Sequence, residues 1–397
     1  MAGAEFYANE NFLVPAFEVR LEGKAGEKIA MRDVQEITFT DDMAAPGTFE
    51  FVLNDWDVVT KSVKYSSPWN AQGQPSKIDG QTDAPNFEPG VRLELLFGYI
   101  GRNPIQPIMT GEIISLSPSF PASGMPTVRV RAIDADFRDL QRIMIEGEYE
   151  GTTKDIISKL CNENNYEPDV SQITEPGEPK QKAAVEGTLY DALTSRAKDY
   201  RMFFGFAPPP PTPNGQKVKK ATIRFTRLAA QKEEPVAEFR WGRTLQSFTP
   251  VMSSSSQISE VIVSGPDTSA KKDKRNIRVS MKMSELPWLA EALGPTGLAA
   301  VEASGKGIKE LLKPSNLKTE ADAKKAAVDR LTEIASTLIT ATGTSIGVPA
   351  LRAGTRIKVL DIGLRFEGIY LLTQTTHTIG GSGYTTSFQA RKEILNV

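Results

Sequence analysis

Apolar and polar residues alternate with a period of two over much of this chain, the pattern of strands with one buried face. The alternation is cleanest near the end. Thr355 to Leu360, Gly368 to Thr376 and Thr385 to Ala390 are separated by Gly363 and by Gly380, Gly381 and Gly383, which predicts an antiparallel meander. Gly90 to Gly98, Thr110 to Leu116 and Gly124 to Ala132 follow the same order. Laid side by side, Gly90 falls on Gly354, Gly111 on Gly368 and Gly124 on Gly383, while Leu93, Leu95 and Val130 fall on Ile357, Val359 and Phe388. A supersecondary unit repeated far apart in one chain predicts a duplicated antiparallel β domain.

Further strands are predicted at Pro15–Gly23, Asp33–Thr40 and Gly47–Asn54, where Phe49, Phe51 and Leu53 alternate with Glu50, Val52 and Asn54. With the repeat strands these make six, enough to curl a small sheet into a barrel. Asp55 to Glu88 lacks periodicity and exceeds ordinary connections in length, so it is expected to order against another chain rather than within its own barrel. Thr152 with Asp155 forms a capping signature ahead of Ile156, Ile157 and Leu160, and a second helix runs from Thr188 through Leu189, Leu193 and Ala197. Phe203–Phe206 and Ala221–Leu228 predict a hairpin around the stiff loop Pro208–Gly215. Glu238–Thr249 and Gln257–Ser264 open a second barrel, which Asp267–Thr344 interrupts. That insert contains an alternating piece (Ile277, Val279, Met281) and a helix capped by Thr319, with Glu320 and Asp322 in its first turn.

The predicted class is therefore α+β, mainly β: two duplicated antiparallel β-barrels, an α+β domain between them and an α-containing insert in the second. The division is 1–137 for the first barrel, 138–234 for the middle domain, 235–266 with 345–397 for the second barrel, and 267–344 for the insert.

Composition narrows the chemistry. Forty-seven basic against 49 acidic residues leave a formal net charge of −2, without the basic excess that phosphate neutralisation favours. The cluster Lys271–Arg275 reads as a solvated loop, so no specific nucleic-acid binding is expected. The single cysteine, Cys161, excludes an intrachain disulfide and falls on an apolar helical face as a core residue. The first residues lack a basic start followed by an apolar run, and no apolar stretch reaches spanning length; synthesis in the cytoplasm and no membrane insertion are expected.

The lone histidine, His377, sits in a strand where packing or cross-strand hydrogen bonding is the expected role. No G-x-S-x-G surrounds a serine, and one histidine with one cysteine cannot supply a multi-ligand zinc site. Ser304–Gly307 fails as a phosphate loop because Gly307 follows the lysine and Ala300 stands where the first glycine belongs. The pairs Asp41/Asp42 and Asp134/Asp136 lie at strand ends, where carboxylates form turns, although a two-carboxylate hydrolase stays open. The expectation is a non-enzyme, with catalytic, cofactor-binding and metal residues all none and cofactors none.

Several ordered motifs resemble a known family. They are Phe87-x-Pro-Gly-x-x-Leu93 with Gly98-Tyr99, Gly242-x-x-Leu-x-Ser-Phe-x-Pro250, and Glu260-Val-x-Val-x-Gly265. Toward the end come Gly347-x-Pro349-x-Leu-Arg-x-Gly354, Arg365-Phe-x-Gly368-x-Tyr370, His377 and Gly383-Tyr-x-Thr-x-Phe388. The set resembles the late-control D proteins of contractile phage tails, their relatives in contractile injection systems, and the hub part of VgrG spikes. The resemblance implies tail-tube-like barrels, a LysM-like middle domain, and a homotrimeric baseplate hub. Its two barrels per subunit would join the six-fold tail tube to a three-fold spike around an axial lumen. It also implies that tube, spike and other baseplate proteins are partners, that the spike is a separate protein because no needle repeat follows, and that the hub resides in the virion or injection particle. The alternative is a cell-wall-binding or peptidoglycan-hydrolysing tail component.

Overall fold

The computed structural model describes residues 14–21, 31–67, 69, 77–78, 82–83, 87–100, 105–173, 181–199, 202–207, 220–227, 234–266, 276–286, 298–299, 301–314, 317 and 319–393. The Pro208–Gly215 loop, the Lys271–Arg275 cluster and most of 68–86 lie outside them.

The expected alternation becomes strands β1 (Pro15–Leu21), β2 (Val34–Asp42), β3 (Thr48–Asn54), β4 (Arg92–Tyr99), β5 (Gln106–Ser119) and β6 (Thr127–Asp134). The chain then forms α1 (Ala135–Arg142), β7 (Met144–Gly151), α2 (Thr153–Glu163), β8 (Gln181–Thr188), α3 (Leu189–Asp199), β9 (Met202–Phe206) and β10 (Ile223–Arg227). Next come β11 (Ala237–Arg240), β12 (Leu245–Met252), β13 (Glu260–Pro266), β14 (Asn276–Lys282), β15 (Lys309–Leu312) and α4 (Glu320–Ala335). The last strands are β16 (Ile339–Ile346), β17 (Arg356–Leu360), β18 (Gly368–Gly380) and β19 (Gly383–Lys392). Thr152 and Thr319 cap α2 and α4, each in a reciprocal box with the aspartate three residues on.

One twelve-stranded sheet carries two halves with matching strand order. The first half runs β1-β4-β5-β6-β3-β2 and the second β11-β17-β18-β19-β16-β12. Only the outermost strands differ in sense, since β1 is antiparallel to β4 while β11 is parallel to β17. Among the described residues neither half is closed by hydrogen bonds; instead β2 continues onto β18 and joins them.

Shared irregularities fix the correspondence residue by residue. Gly90 N–H donates to Ile113 O and Gly354 N–H to Leu372 O, at 2.9 and 2.8 Å. The pairing of β5 with β6 and of β18 with β19 slips at the matching place, beside Ile113 and beside Leu372. β2 and β12 both slip at their starts, Val34/Glu36 and Leu245/Ser247. The matches Gly90–Gly354, Leu93–Ile357, Leu95–Val359 and Val130–Phe388 hold in this register. Gly111 instead falls on Tyr370, and Gly383 falls on Met125 rather than Gly124. The β4–β5 hairpin pairs out to Phe97 opposite Gln106, whereas β17–β18 ends at Val359 opposite Gly368, so the glycines cannot align.

The two cores solve one packing problem with opposite side chains. In the first half Phe49 occupies the space that Gly111 leaves. In the second, the matching positions are Ala341 and Tyr370. Gly343 makes room for Phe388, where the first half pairs Phe51 with Val130. Large and small are exchanged, and the filled volume is kept.

Three further findings depart from the sequence expectation. Asp55–Ser67 packs into its own half: Asp55 Oδ1 accepts the N–H groups of Lys64, Tyr65 and Ser66 at 3.1, 2.6 and 3.1 Å. Lys64 and the Tyr65 hydroxyl both bond Asp33, and Phe87 is buried against Phe51 and Tyr65. Local polar contacts there replace apolar periodicity. β13, assigned above to the second barrel, pairs with β14 and β15 in a separate sheet covered by α4, while β16 belongs to the large sheet. The middle elements gather around Leu160, Leu193 and Phe225.

Candidate functional site

The seam between the halves is where sequence-distant polar and aromatic groups converge. β2 and β18 pair antiparallel from Ile37 opposite Ile379 to Asp42 opposite Gln374, and Met43 N–H extends the ladder to Thr373 O at 3.0 Å. His377 lies at its centre, fully buried, with Phe39 stacked 5.8 Å away. Its Nε2 donates to Leu351 O at 2.8 Å, which leaves Nδ1 to accept from the Tyr384 hydroxyl at 2.9 Å. Burial pushes the imidazole down to about 3 and the Tyr384 phenol up. The ring is neutral and held on both nitrogens: a packing element, as its place in the strand suggested.

Around it, Arg352 donates Nε to Asp41 at 2.6 Å and Nη1 to Ile108 O at 2.9 Å, with its guanidinium over the Phe39 ring. Ala353 N–H also reaches Asp41, and Gln374 Nε2 reaches Asp42 at 2.7 Å. The Tyr99 hydroxyl bonds Gly347 O at 2.7 Å, and its ring stacks 5.6 Å from Tyr384. Ile379 and Tyr384 thereby enter the core of the first half. Sequence reading gave His377 a packing role and picked out Arg352 and Tyr384 only as motif letters; their meeting depends on strand order, which no local pattern carries.

Beside the seam, a cleft of about 680 Å³ opens toward the middle domain, lined by Asp41, Asp134, Phe137, Tyr190, Phe204 and Arg352. The candidate carboxylates are all engaged. Asp134 caps α1 through Phe137 N–H at 2.9 Å, and Asp136 accepts Ala221 N–H at 3.1 Å. Burial raises Asp134 to about 8, helped by Asp136, and raises Asp136 to about 6. The pairs serve turns, a helix end and the seam. Ser304–Gly307 is a turn into β15, with Gly305 N–H on Val301 O and packed against the Ile258 backbone. Cys161 is buried, and among the described residues no group of three or more His, Cys, Asp or Glu gathers to hold a metal.

Among the described residues β1 and β11 end the sheet with one ladder partner each, and the two edges that correspond to the seam are open as well. No described strand pairs with the outer side of β12, or with β5 beyond Ile113 on its β4 side. Exposed apolar side chains stand on both: Val251 and Met252 on the first, Ile114 and Phe120 on the second.

No family model matches this chain, and no curated protein does. Solved structures do. The 43 kDa tail protein of prophage MuSo2 from Shewanella oneidensis superposes with a TM-score of 0.63 at 16% identity, over 95% of this chain and 98% of its own. A tail protein from Neisseria meningitidis MC58 superposes with a TM-score of 0.58 at 16% identity, over 96% of this chain and 97% of its own. The chain has the fold of these phage tail proteins along nearly its whole length, in keeping with the hub resemblance read from its motifs.

Proposed function

We propose that the chain is a structural baseplate hub of a contractile tail or injection system. Three copies form a ring of six similar sheets around a lumen, with the tail tube on one face and a separate spike on the other. The observation that carries this is the duplicated strand order, with one seam made inside the chain and its two counterpart edges unpaired among the described residues. A head-to-tail surface of that kind either closes into a ring or grows without end. Six sheets from three chains reconcile a six-fold tube with a three-fold spike. A formal net charge of −2 puts little repulsion between copies. In this reading 1–137 is the first unit, 138–234 the middle domain, and β11, β12 and β16–β19 the second unit, with 253–338 as its insert. The protein is non-catalytic and particle-associated; no described helix is long and apolar enough to cross a membrane.

The test is native mass and particle imaging of the protein alone and with its spike. A trimeric ring of six lobes is expected. A chain that stays monomeric with the spike, or assembles as six subunits, overturns the hub. Clearing of a purified cell-wall suspension would favour the hydrolytic alternative.

A further inference from the structure

We propose that the two open edges belong together: the outer edge of β12 docks along Ile114–Phe120 of the next copy, in the register by which β2 docks along β18 inside one chain. The inference rests on the ring reading, and it names the surface that builds the ring.

The correspondence between halves supplies the register. β2 matches β12 with Ile37 on Phe248, Thr38 on Thr249 and Phe39 on Pro250. β18 matches β5 with His377 on Pro118, Thr378 on Ser119 and Ile379 on Phe120. Carrying the internal pairing across sets Thr249 opposite Ser119, Pro250 opposite Pro118 and Phe248 opposite Phe120. Phe120 is 63% exposed in the single chain, and Val251, on the other edge, is 52% exposed. Docking would cover both.

The prolines give an independent reason. Ser253 N–H bonds Leu338 O, and by alternation along β12 this turns the Pro250 nitrogen away from β16 toward the open edge. Asp134 N–H on Gly47 O sets the phase of β6 in the same way, so the Pro118 nitrogen also faces its open edge. Each edge thus lacks a donor at one point, which discourages pairing with arbitrary strands. In this register the two gaps coincide. The two missing donors then fall in a single residue pair, and the hydrogen-bonded pairs on either side are kept.

The internal seam also calibrates the test. Met43 N–H on Thr373 O makes Thr38 opposite Thr378 a non-hydrogen-bonded pair, the closer kind, and Thr249 with Ser119 inherits that geometry. Thr38→Cys with Thr378→Cys should oxidise to an intrachain disulfide. Thr249→Cys with Ser119→Cys should oxidise to covalent species ending at three chains, while either cysteine alone gives none; Cys161 is buried and stays in place. A particle that is trimeric by native mass yet unlinked, or linked instead through Thr249→Cys with Ser117→Cys, overturns this seam and leaves the hub standing. A protein that is monomeric with its spike and unlinked overturns the hub itself.

Discussion

The closed seam and the open edges are built from equivalent strands with different side chains. At the closed seam Phe39 faces His377, Asp41 holds Arg352, and Tyr384 ties the histidine to Tyr99. At the matching positions of the open edges stand Pro250, Pro118, Met252, Glu88 and Pro126. One junction has a full ladder and a buried hydrogen-bonded network around His377, which makes it part of the fold. The other has an interrupted ladder and exposed apolar groups, which suits assembly and release. On the proposed docking, the chain carries one joint twice, once closed within the chain and once between copies.

The largest expected effect breaks the closed joint. Tyr384→Ala removes a buried ring and the hydrogen bond to His377, and should cost about 3–5 kcal/mol in denaturant unfolding. A cost below about 1 kcal/mol would mean that the closed seam is no firmer than an ordinary surface contact.

Next comes the exchange of large and small between the cores. Gly111→Val drives a side chain into Phe49 and Gly343→Val into Phe388, each costing roughly 1–3 kcal/mol or more. Gly111→Ala with Phe49→Leu should cost less than the sum of the single changes, because the second makes room for the first. Additive costs would remove the claim that the pair shares one volume. Gly368→Val tests a different cause: its φ of +137° is open to glycine and strained for other residues, so about 1–3 kcal/mol is expected although only a lysine side chain lies nearby.

Protonation separates the seam from the cleft. His377 is depressed below its ordinary 6.5, so its contribution is complete above that pH and is lost as pH falls toward about 3. Asp134 is raised from 3.8 to about 8, so its contribution is present below 3.8 and lost as pH rises through 8. Asp134→Asn keeps a helix cap and removes that loss. Relative to the native protein, its unfolding free energy should climb between pH 4 and 8 by at least about 1.4 kcal/mol, the worth of one pKa unit. A difference that is flat with pH would contradict the burial of this carboxylate.

The smallest stability effect belongs to the open edge. Pro250→Val restores a donor facing the edge, so it should leave unfolding within about 0.5 kcal/mol while raising self-association in sedimentation. Unchanged association would detach the prolines from edge control.

Much of this was legible in the sequence. Alternation located the strands, the threonine caps located α2 and α4, and the repeated meander announced the duplication. Position-by-position glycine matching failed for Gly111, because its reason is the Phe49 ring, whereas the reason at Gly368 is backbone conformation. Asp55–Ser67 was expected to order against another chain because it is held by the Asp55 and Asp33 carboxylates rather than by apolar periodicity. β13 reads like any strand of the second unit, and only its partners assign it to the insert. The seam was out of reach for the same reason: β2 and β18 lie more than three hundred residues apart, and pairing between them leaves no local trace.

The central claim is that the open edges repeat the closed seam between copies. A density map of the assembled particle would test it most directly. Three chains are expected, with β12 of each running antiparallel beside β5 of the next, and a Thr249–Ser119 separation matching Thr38–Thr378. A trimer in which β12 faces solvent and the copies meet elsewhere would contradict it.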